Sequence, residues 1–428
     1  MISFSNKSLK ASSVGSLVIQ VTNLFLALAV SVLLASDLGA EKYGVYVVVL
    51  STVMLVSIPI TLGFPMLLVR FIPQYELEEN YAAINGLVVR SNQFVIAGSA
   101  IIGVTLCVLY FTAKDSLDYE LWRTIFWGAL LLPALGLNAL RSALLEGFRL
   151  VVIGQIPDLV IRQVVFIVLI TVFTLLNGLN PSDAMMLHFA SASISFFIGL
   201  AISIKKLGPA LRGKGICFEG REWLQKGASF SLNMGVNNIK SRLAIYILAV
   251  VEGAAAVGIF EVAIRAAGFV SFSLAAVNKA LGPHISRSYH ERKFGQLQSV
   301  MKKSARAVFL LALPVVMIYL IFGEWLLSFF YGDEYLATYA PLVILSLGQL
   351  VNSYFGSVGL LLNMSNSQGY VVKVNVINTA VNFVFSLILT SIFSLVGAAL
   401  AYVLLLLIQN VVFWLYAKKQ LGVNTLAF

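Results

Sequence analysis

The sequence predicts an all-α membrane protein, with twelve transmembrane helices in two parallel-repeat lobes of six around a central cavity. Three observations predict it. Of 428 residues, 59% are hydrophobic and only 11% are charged, and the mean hydropathy is +0.92. Apolar runs of about 20 residues or more recur along the chain, the length a helix needs to cross ~30 Å of hydrocarbon. A short segment after the first run returns half the chain length later.

Soluble domains average ~45–50% apolar and ~25% charged residues, so this chain has too little polar surface to coat a water-facing exterior. The same figures exclude disorder, collagen and coiled coil, and two cysteines exclude a disulfide scaffold. Barrel strands need ~9–11 residues alternating apolar and polar, whereas these runs are longer and apolar all round.

In the first half the spans run from Val14 to Ala35, Val45 to Val69, Ser91 to Ala113, Thr124 to Leu145, Val151 to Leu176 and Ala184 to Ile204. In the second they run from Gly227 to Val251, Ala255 to Ala280, Ala305 to Phe330, Ala337 to Leu362, Val372 to Ser394 and Leu395 to Ala417. Lys7 and Lys10 ahead of the first span imitate a signal peptide, but the apolar run is too long, and it reads as a retained first helix.

Most of the 29 basic residues fall in the even-numbered loops and the termini, among them Arg70, Arg90, Arg141, Arg149, Lys205, Lys206, Arg287, Lys302, Lys418 and Lys419. The opposite side holds Lys42, Lys114 and Arg123. The positive-inside rule therefore puts both termini in the cytoplasm. It also accounts for the net charge of +10, which in a soluble chain would have suggested nucleic acid. The basic loops Lys205 to Lys226 and Pro283 to Arg306 orient the chain and meet anionic headgroups, and the first of them links a lobe of residues 1–213 to one of residues 214–428.

The repeat matches Gly39-Ala40-Glu41-Lys42-Tyr43-Gly44-Val45-Tyr46 to Gly253-Ala254-Ala255-Ala256-Val257-Gly258-Ile259-Phe260. Both copies fall at the outer turn between the first and second spans of a half. Six is even, so the halves enter the membrane in the same direction, a transporter architecture in which two bundles rock about a shared cavity.

Ionisable residues inside spans are costly and usually face a bundle interior or watery cavity. Asp158 and Arg162 lie in the fifth span, Lys240 and Arg242 in the seventh, Glu261 and Arg265 in the eighth. Both acids stand i,i+4 to an arginine and can partly neutralise it, either in a cavity or as a strut between helices. Four cations against two anions leave a positive surplus, which calls for an anion; phosphate suits the guanidinium fork. Polar stripes recur at helical spacing: Ser13, Ser16, Gln20 and Asn23 on the first span, Ser229, Asn233, Asn237 and Lys240 on the seventh, Asn375, Asn378 and Asn382 on the eleventh. They suit a hydrated, sugar-tolerant vestibule, or interhelical hydrogen bonds.

No HExxH, CxxC pair or P-loop occurs, so neither a resident metal or other cofactor nor ATP hydrolysis is expected. Cys107 and Cys217 are too far apart in topology to pair. His188, His284 and His290 are scattered, with little to mark them as proton carriers.

Leu38-Gly39-Ala40-Glu41-Lys42-Tyr43-Gly44-Val45-Tyr46, with Gly63-Phe64-Pro65 to Arg70-Phe71, resembles the N-terminal signature of a known family. That family is the polysaccharide-synthesis branch of the multidrug/oligosaccharidyl-lipid/polysaccharide (MOP) exporter superfamily. Leu144-Leu145-Glu146-Gly147-Phe148-Arg149, Gly258 to Arg265, Pro283-His284-Ile285-Ser286-Arg287 and Ala312-Leu313-Pro314 resemble later motifs in the same order. The resemblance implies a MATE-like fold and a non-enzymatic flippase of the Wzx kind. Such a protein moves an undecaprenyl-pyrophosphate-linked oligosaccharide, such as an O-antigen repeat unit, to the outer leaflet of a bacterial cytoplasmic membrane. Arg265 stands where the related lipid II flippase has a cavity arginine needed for function. The missing first-span arginine and the lack of two extra C-terminal helices set this chain apart from that relative.

The expected mechanism is alternating access, with Arg265, Lys240, Arg242 and Arg162 on the pyrophosphate and Asn237, Asn233, Gln20 and Asn23 beside the sugars. Glu261 and Asp158 would exchange a proton or cation, as in an antiporter. Expected partners are the lipid-linked glycan, membrane lipids and the polymerase and other assembly proteins, but no nucleic acid. The rivals are a MATE-type drug exporter and a membrane-embedded polysaccharide polymerase or ligase.

Overall fold

The computed structural model describes residues 6–113, 118–176 and 178–428, without the side chains of residues 6–13, 113, 221, 229, 233, 280 and 283. Lys114 and the side chains of Lys7, Lys10, Ser13, Arg221, Ser229, Asn233 and Pro283 thus lie outside the described residues. Among the described residues, nine helices are long and apolar enough to cross a membrane. Two of them are broken. Helix α1 (Asn6–Thr61) leaves helical geometry at Gly39 (φ 72°, ψ 169°), and the last helix, Gln368–Leu421, leaves it at Ser394 (φ 52°, ψ −131°). The helix Gly220–Val251, which carries the second polar stripe, is not among the nine. Twelve crossings require that each break separate two of them and that Gly220–Val251 cross as well.

The chain forms two compact units. The first holds the residues up to Leu38 and Val45–Asn238; the second holds Gly39–Gly44 and Ile239–Phe428.

In the first unit the expected second span is split. Leu62 (φ 43°) and Gly63 (φ 67°) take left-handed conformations, and α2 (Phe64–Leu77) restarts with Pro65 in its first turn. A Cβ on Gly63 would stand 2.5 Å from the Gly227 carbonyl oxygen and 2.9 Å from Phe230 Cβ, so this turn needs glycine for space as well as for φ. Next come α3 (Tyr81–Ala113) and α4 (Tyr119–Gly147), whose first turn is capped by Asp118 accepting the Glu120 N–H at 3.1 Å. The fifth span consists of α5 (Val151–Ile156), a π-helical turn (Pro157–Ile161) and α6 (Arg162–Leu176). Helix α7 (Pro181–Leu211) packs along α4. Small residues let the helices close up: a Cβ on Gly136 would lie 2.8 Å from Val95, and one on Gly147 would lie 2.9 Å from the Leu68 carbonyl oxygen.

The segment between α7 and α8 (Gly220–Val251) is fastened rather than loose. Cys217 N–H donates to Ala82 O at 2.9 Å, and the Asn85 amide donates to Leu211 O and Gly215 O at 3.0 Å each. Tyr75 on α2 accepts from Trp223 Nε1 at 3.0 Å and donates to Glu219 Oε2 at 2.5 Å. Burial, then the Glu219 carboxylate, push the Tyr75 hydroxyl above the ordinary tyrosine range. A raised folded value means that stability is complete below ~10 and falls as pH climbs past it, because only the unfolded chain then sheds the proton. Tyr75→Phe is expected to cost about 1–2 kcal/mol at neutral pH and to flatten the alkaline fall in thermal-unfolding scans.

The second unit contains α9 (Ala254–His290), α10 (Phe294–Tyr331), a 3-10 turn (Asp333–Thr338), α11 (Tyr339–Phe355), α12 (Val358–Met364) and α13 (Gln368–Leu421). The expected tenth span is interrupted at Gly356 (φ 66°, ψ −154°), where a Cβ would stand 2.7 Å from Ala305 Cβ. At the end of the unit bearing the basic loop, Ile285, Leu297, Met301, Leu361 and Phe413 form an apolar core. The C-terminal residues are tied into that end by paired bonds between the Gln298 amide and the backbone of Asn424, both 2.6 Å.

The repeat is visible in backbone geometry. Gly253 (φ 91°, ψ −176°) matches the conformation of Gly39, and each starts the second helix of its half. The two motifs also meet: a Cβ on Gly44 would strike the Ala254 carbonyl oxygen, and one on Gly258 would strike that of Ala40. Glu334 accepts the Ala40 N–H at 3.1 Å, and Thr338 donates to Ile259 O at 3.2 Å, fastening the crossing from the 3-10 turn.

Candidate functional site

Each unit gathers polar and charged side chains on its membrane helices. In the second, Glu261 on α9 is 2% exposed and receives two guanidiniums. Arg265, one turn along the same helix, donates from Nε to Oε1 at 2.8 Å, and Arg242 on α8 donates from Nη1 to Oε2 at 3.1 Å. One carboxylate between two arginines leaves a local surplus of one positive charge. The arginine side chains stay a quarter exposed, at 25% for Arg242 and 26% for Arg265, while the acid is shut in. Glu261 thus aims the two cations and leaves them accessible.

Lys240, two residues before Arg242, joins a different group. Its ammonium donates to Gln409 Oε1 on α13. The same oxygen accepts from Asn378 Nδ2 at 3.1 Å, and Gln409 Nε2 donates to Asn375 Oδ1 at 2.8 Å. Asn382 continues the stripe by accepting from Ser386 at 2.8 Å. Eleventh-span asparagines and the seventh-span lysine therefore share one amide.

In the first unit Arg162 Nε lies 3.0 Å from Asp158 Oδ1 and donates to the Asp158 carbonyl oxygen at 3.1 Å. Its Nη1 donates to His188 Nε2 at 2.9 Å. A guanidinium can only donate, so His188 Nε2 is the bare nitrogen, and Nδ1–H donates to the Tyr46 hydroxyl at 2.8 Å. Phe166 stacks on the imidazole at 4.7 Å between ring centres. The first-span stripe docks on the fifth span: Gln20 donates to Ser16 Oγ at 3.0 Å, Ser16 to Gln155 Oε1 at 2.8 Å, and Gln155 to Glu146 Oε1 at 3.2 Å. Asn23 Oδ1 is buried with no hydrogen-bond partner among the described residues.

A family model described as "Polysaccharide biosynthesis protein" matches residues 9–289, well over half the chain. The chain belongs to the polysaccharide biosynthesis protein family. A second model, MatE, matches residues 231–390 of this family member. A curated relative in Haloferax volcanii, described as "Probable low-salt glycan biosynthesis flippase Agl15", is 25% identical over 168 residues. That alignment spans 39% of this chain and 36% of the relative, about a third of its length.

Solved structures share the fold of this polysaccharide biosynthesis family member. An inward-facing MATE family multidrug resistance transporter of the MOP superfamily gives a TM-score of 0.76 at 15% identity, covering 96% of this chain and 98% of the other. The lipid II flippase MurJ, in an inward closed conformation, gives 0.70 at 14% identity, covering 94% and 87%. A MOP superfamily transporter from Pyrococcus furiosus, reported with a binding pocket of reverse polarity, gives 0.69 at 14%, covering 96% and 94%. The neighbours are transporters and a flippase rather than enzymes.

Of the site residues expected in this polysaccharide biosynthesis family member, Arg265, Arg242 and Glu261 form one cluster, and Arg162 and Asp158 belong to another. Lys240 is placed with Gln409, not with Glu261, and Gln20 with Ser16. Asn237 is exposed, and the Asn233 side chain lies outside the described residues. Arg242 finds Glu261 across the helix contact. One expectation changes: Arg141, counted among the loop charges, lies inside α4 at 5% exposure. Sequence reasoning also missed Gln409 and gave His188 and Tyr46 no role; an isolated amide, imidazole or phenol has no spacing signal to mark it.

Proposed function

We propose that the chain is a flippase that carries an undecaprenyl-pyrophosphate-linked oligosaccharide across a bacterial cytoplasmic membrane by alternating access. Its twelve crossings would form six-helix lobes of residues 1–213 and 214–428, with both termini in the cytoplasm. The observation that carries the reading is the pairing of two partly exposed arginines on one buried carboxylate within apolar helices. A diphosphate supplies the anionic oxygens that such a surplus of positive charge attracts, and guanidinium forks bind them in bidentate fashion. Arg265, Arg242, Lys240 and Arg162 hold the diphosphate in this reading. Gln20, Asn23, Asn233 and Asn237 meet the sugars, and the polyprenyl tail stays in lipid. Family membership and the partial match to a glycan-biosynthesis flippase support the same substrate class. Glu261 and Asp158 exchange a proton or cation, so transport into vesicles should slow when the imposed gradient is removed; equal rates would remove the coupling.

The deciding experiment is deletion of the gene in its host, with complementation. Complete lipid-linked units should accumulate on the inner leaflet, wild type should clear them, and Arg265→Gln should fail to do so at equal protein level. Accumulation of unpolymerised units on the outer face would instead identify a polymerase partner or activity. The MatE match over residues 231–390 favours a second reading, export of a cationic drug. The cationic character of the second cluster opposes it, and unchanged resistance to cationic dyes in the deletion strain would dispose of it.

A further inference from the structure

Arg141 belongs to neither cluster. It lies on α4, within two turns of the C-terminal end of that helix, and is 5% exposed. Its Nη2 makes one long bond to Asn138 Oδ1 at 3.4 Å, while Nε and Nη1 have no acceptor. Among the described residues no carboxylate stands within 4.0 Å of it, and the charge that acts on it from further off is that of Asp158. The guanidinium lies against the backbone of Gly199 on α7, where any Cβ would collide with its Cζ. Gly199 therefore provides the room that lets the charge enter the helix bundle.

Arg141 is among the residues that line a cavity of about 270 Å³ between α3, α4, α7 and the start of α2. Leu68, Val88, Leu137, Leu144 and Phe196 make most of its wall apolar, with Ser91, Asn92 and Ser203 as its uncharged polar members, and exposed Leu200 stands among the lining residues. A permanently charged guanidinium with two unused donors in such surroundings costs several kcal/mol unless an anion completes it. The occupant must also tolerate hydrocarbon walls. A glycan does not, since Ser91, Asn92 and Ser203 are too few partners for its many hydroxyls. An amphiphile with an anionic head and an acyl chain satisfies both demands, and the bilayer supplies it.

We propose that Arg141 binds the phosphate of an anionic membrane phospholipid whose acyl chain lies along the wall formed by Leu137, Leu144 and Leu200. The site is on the end of the first unit from which α7 leads into the basic segment Lys205 to Lys214, and it is separate from the residues proposed to handle the transported lipid. The resident lipid supplies the acceptor that the Arg141 donors lack, so the inference stands whether or not the flippase reading does.

Native mass spectrometry of the full-length protein, titrated with phosphatidylglycerol or phosphatidylcholine, tests it. Wild type should bind one phosphatidylglycerol more tightly than phosphatidylcholine. Arg141→Gln should weaken phosphatidylglycerol about tenfold, down to the phosphatidylcholine level. Leu200→Trp, which narrows the cavity from an exposed position and leaves the guanidinium intact, should weaken it similarly. Phosphatidylglycerol binding that survives Leu200→Trp overturns the proposal, and this arm decides the matter if Arg141→Gln does not fold. Displacement of the lipid by inorganic phosphate alone would also overturn it, since the site would then hold a free anion. Equal retention of the two lipids by wild type would do the same.

Discussion

Glu261→Gln is expected to lower the unfolding temperature of the purified protein by about 5–10 °C, the largest effect of any single polar substitution in the second unit. The carboxylate is 2% exposed and carries both arginine contacts, at 2.8 and 3.1 Å. Removing its charge takes away the carboxylate that both guanidiniums share and leaves a neutral amide in its place. Breaking a buried ion pair from one side costs ~3–5 kcal/mol; partial exposure of the arginines moderates this to about 2–4 kcal/mol. Arg265→Gln should cost less than half as much, because Arg242 remains on Glu261. Thermal unfolding in detergent checks the ranking, and equal losses for the two variants would mean that the acid does not anchor both cations. Activity should rank differently: the arginine variant, though more stable, should lose transport as completely as the acid variant.

The second large effect is steric. Gly44→Ala and Gly258→Ala should each destabilise the protein by about 2–3 kcal/mol, although alanine is the better helix former by ~1 kcal/mol. Each new methyl group meets the backbone carbonyl oxygen of Ala254 or Ala40, and backbone cannot rotate aside as a side chain would. The helices would have to separate, losing the close approach that small residues allow. Gly103→Ala is the internal control. It lies within α3 with no neighbouring atom within 4 Å of its Cβ position, so the same exchange should be neutral or mildly stabilising. If the three variants unfold together, the reciprocal glycine crossing is not a determinant of stability.

The repeat that carries this crossing is legible in the sequence because its glycines are constrained by backbone geometry, which local residue identity reports directly. The Glu261–Arg265 pair is legible for a similar reason, since i,i+4 spacing on one helix fixes proximity. Arg242 is not, because its partner is on another helix and nothing in the local sequence records which helix faces which. Gln409 and His188 are invisible on the same grounds. Arg141 was misplaced by a subtler effect: near the end of a span, position along the chain cannot tell a side chain that reaches water from one turned inward, and the difference here is the missing side chain of Gly199 on another helix. Broken helices fall between these cases. The Leu62–Gly63 turn is marked by Gly63 and Pro65, yet the apolar run continues through it and conceals the restart.

The π-helical turn at Pro157–Ile161 holds one more residue than an α-helical path would, and its end is marked by the Arg162 N–H donating to Pro157 O, which also accepts from Ser195 at 2.6 Å. Each helical residue advances the chain by about 100°, so closing this turn to an α-helical path without removing a residue would swing all of α6 by that angle. Phe166 and Ile170, now buried, would rotate toward the acyl chains, and Val164 and Val168, now exposed, would change places around the axis. The extra residue in that short stretch therefore determines which edge of the sixth helix is wetted by lipid, and a single-codon deletion there, which the turn can absorb by becoming α-helical, should be tolerated better than the same deletion within α6.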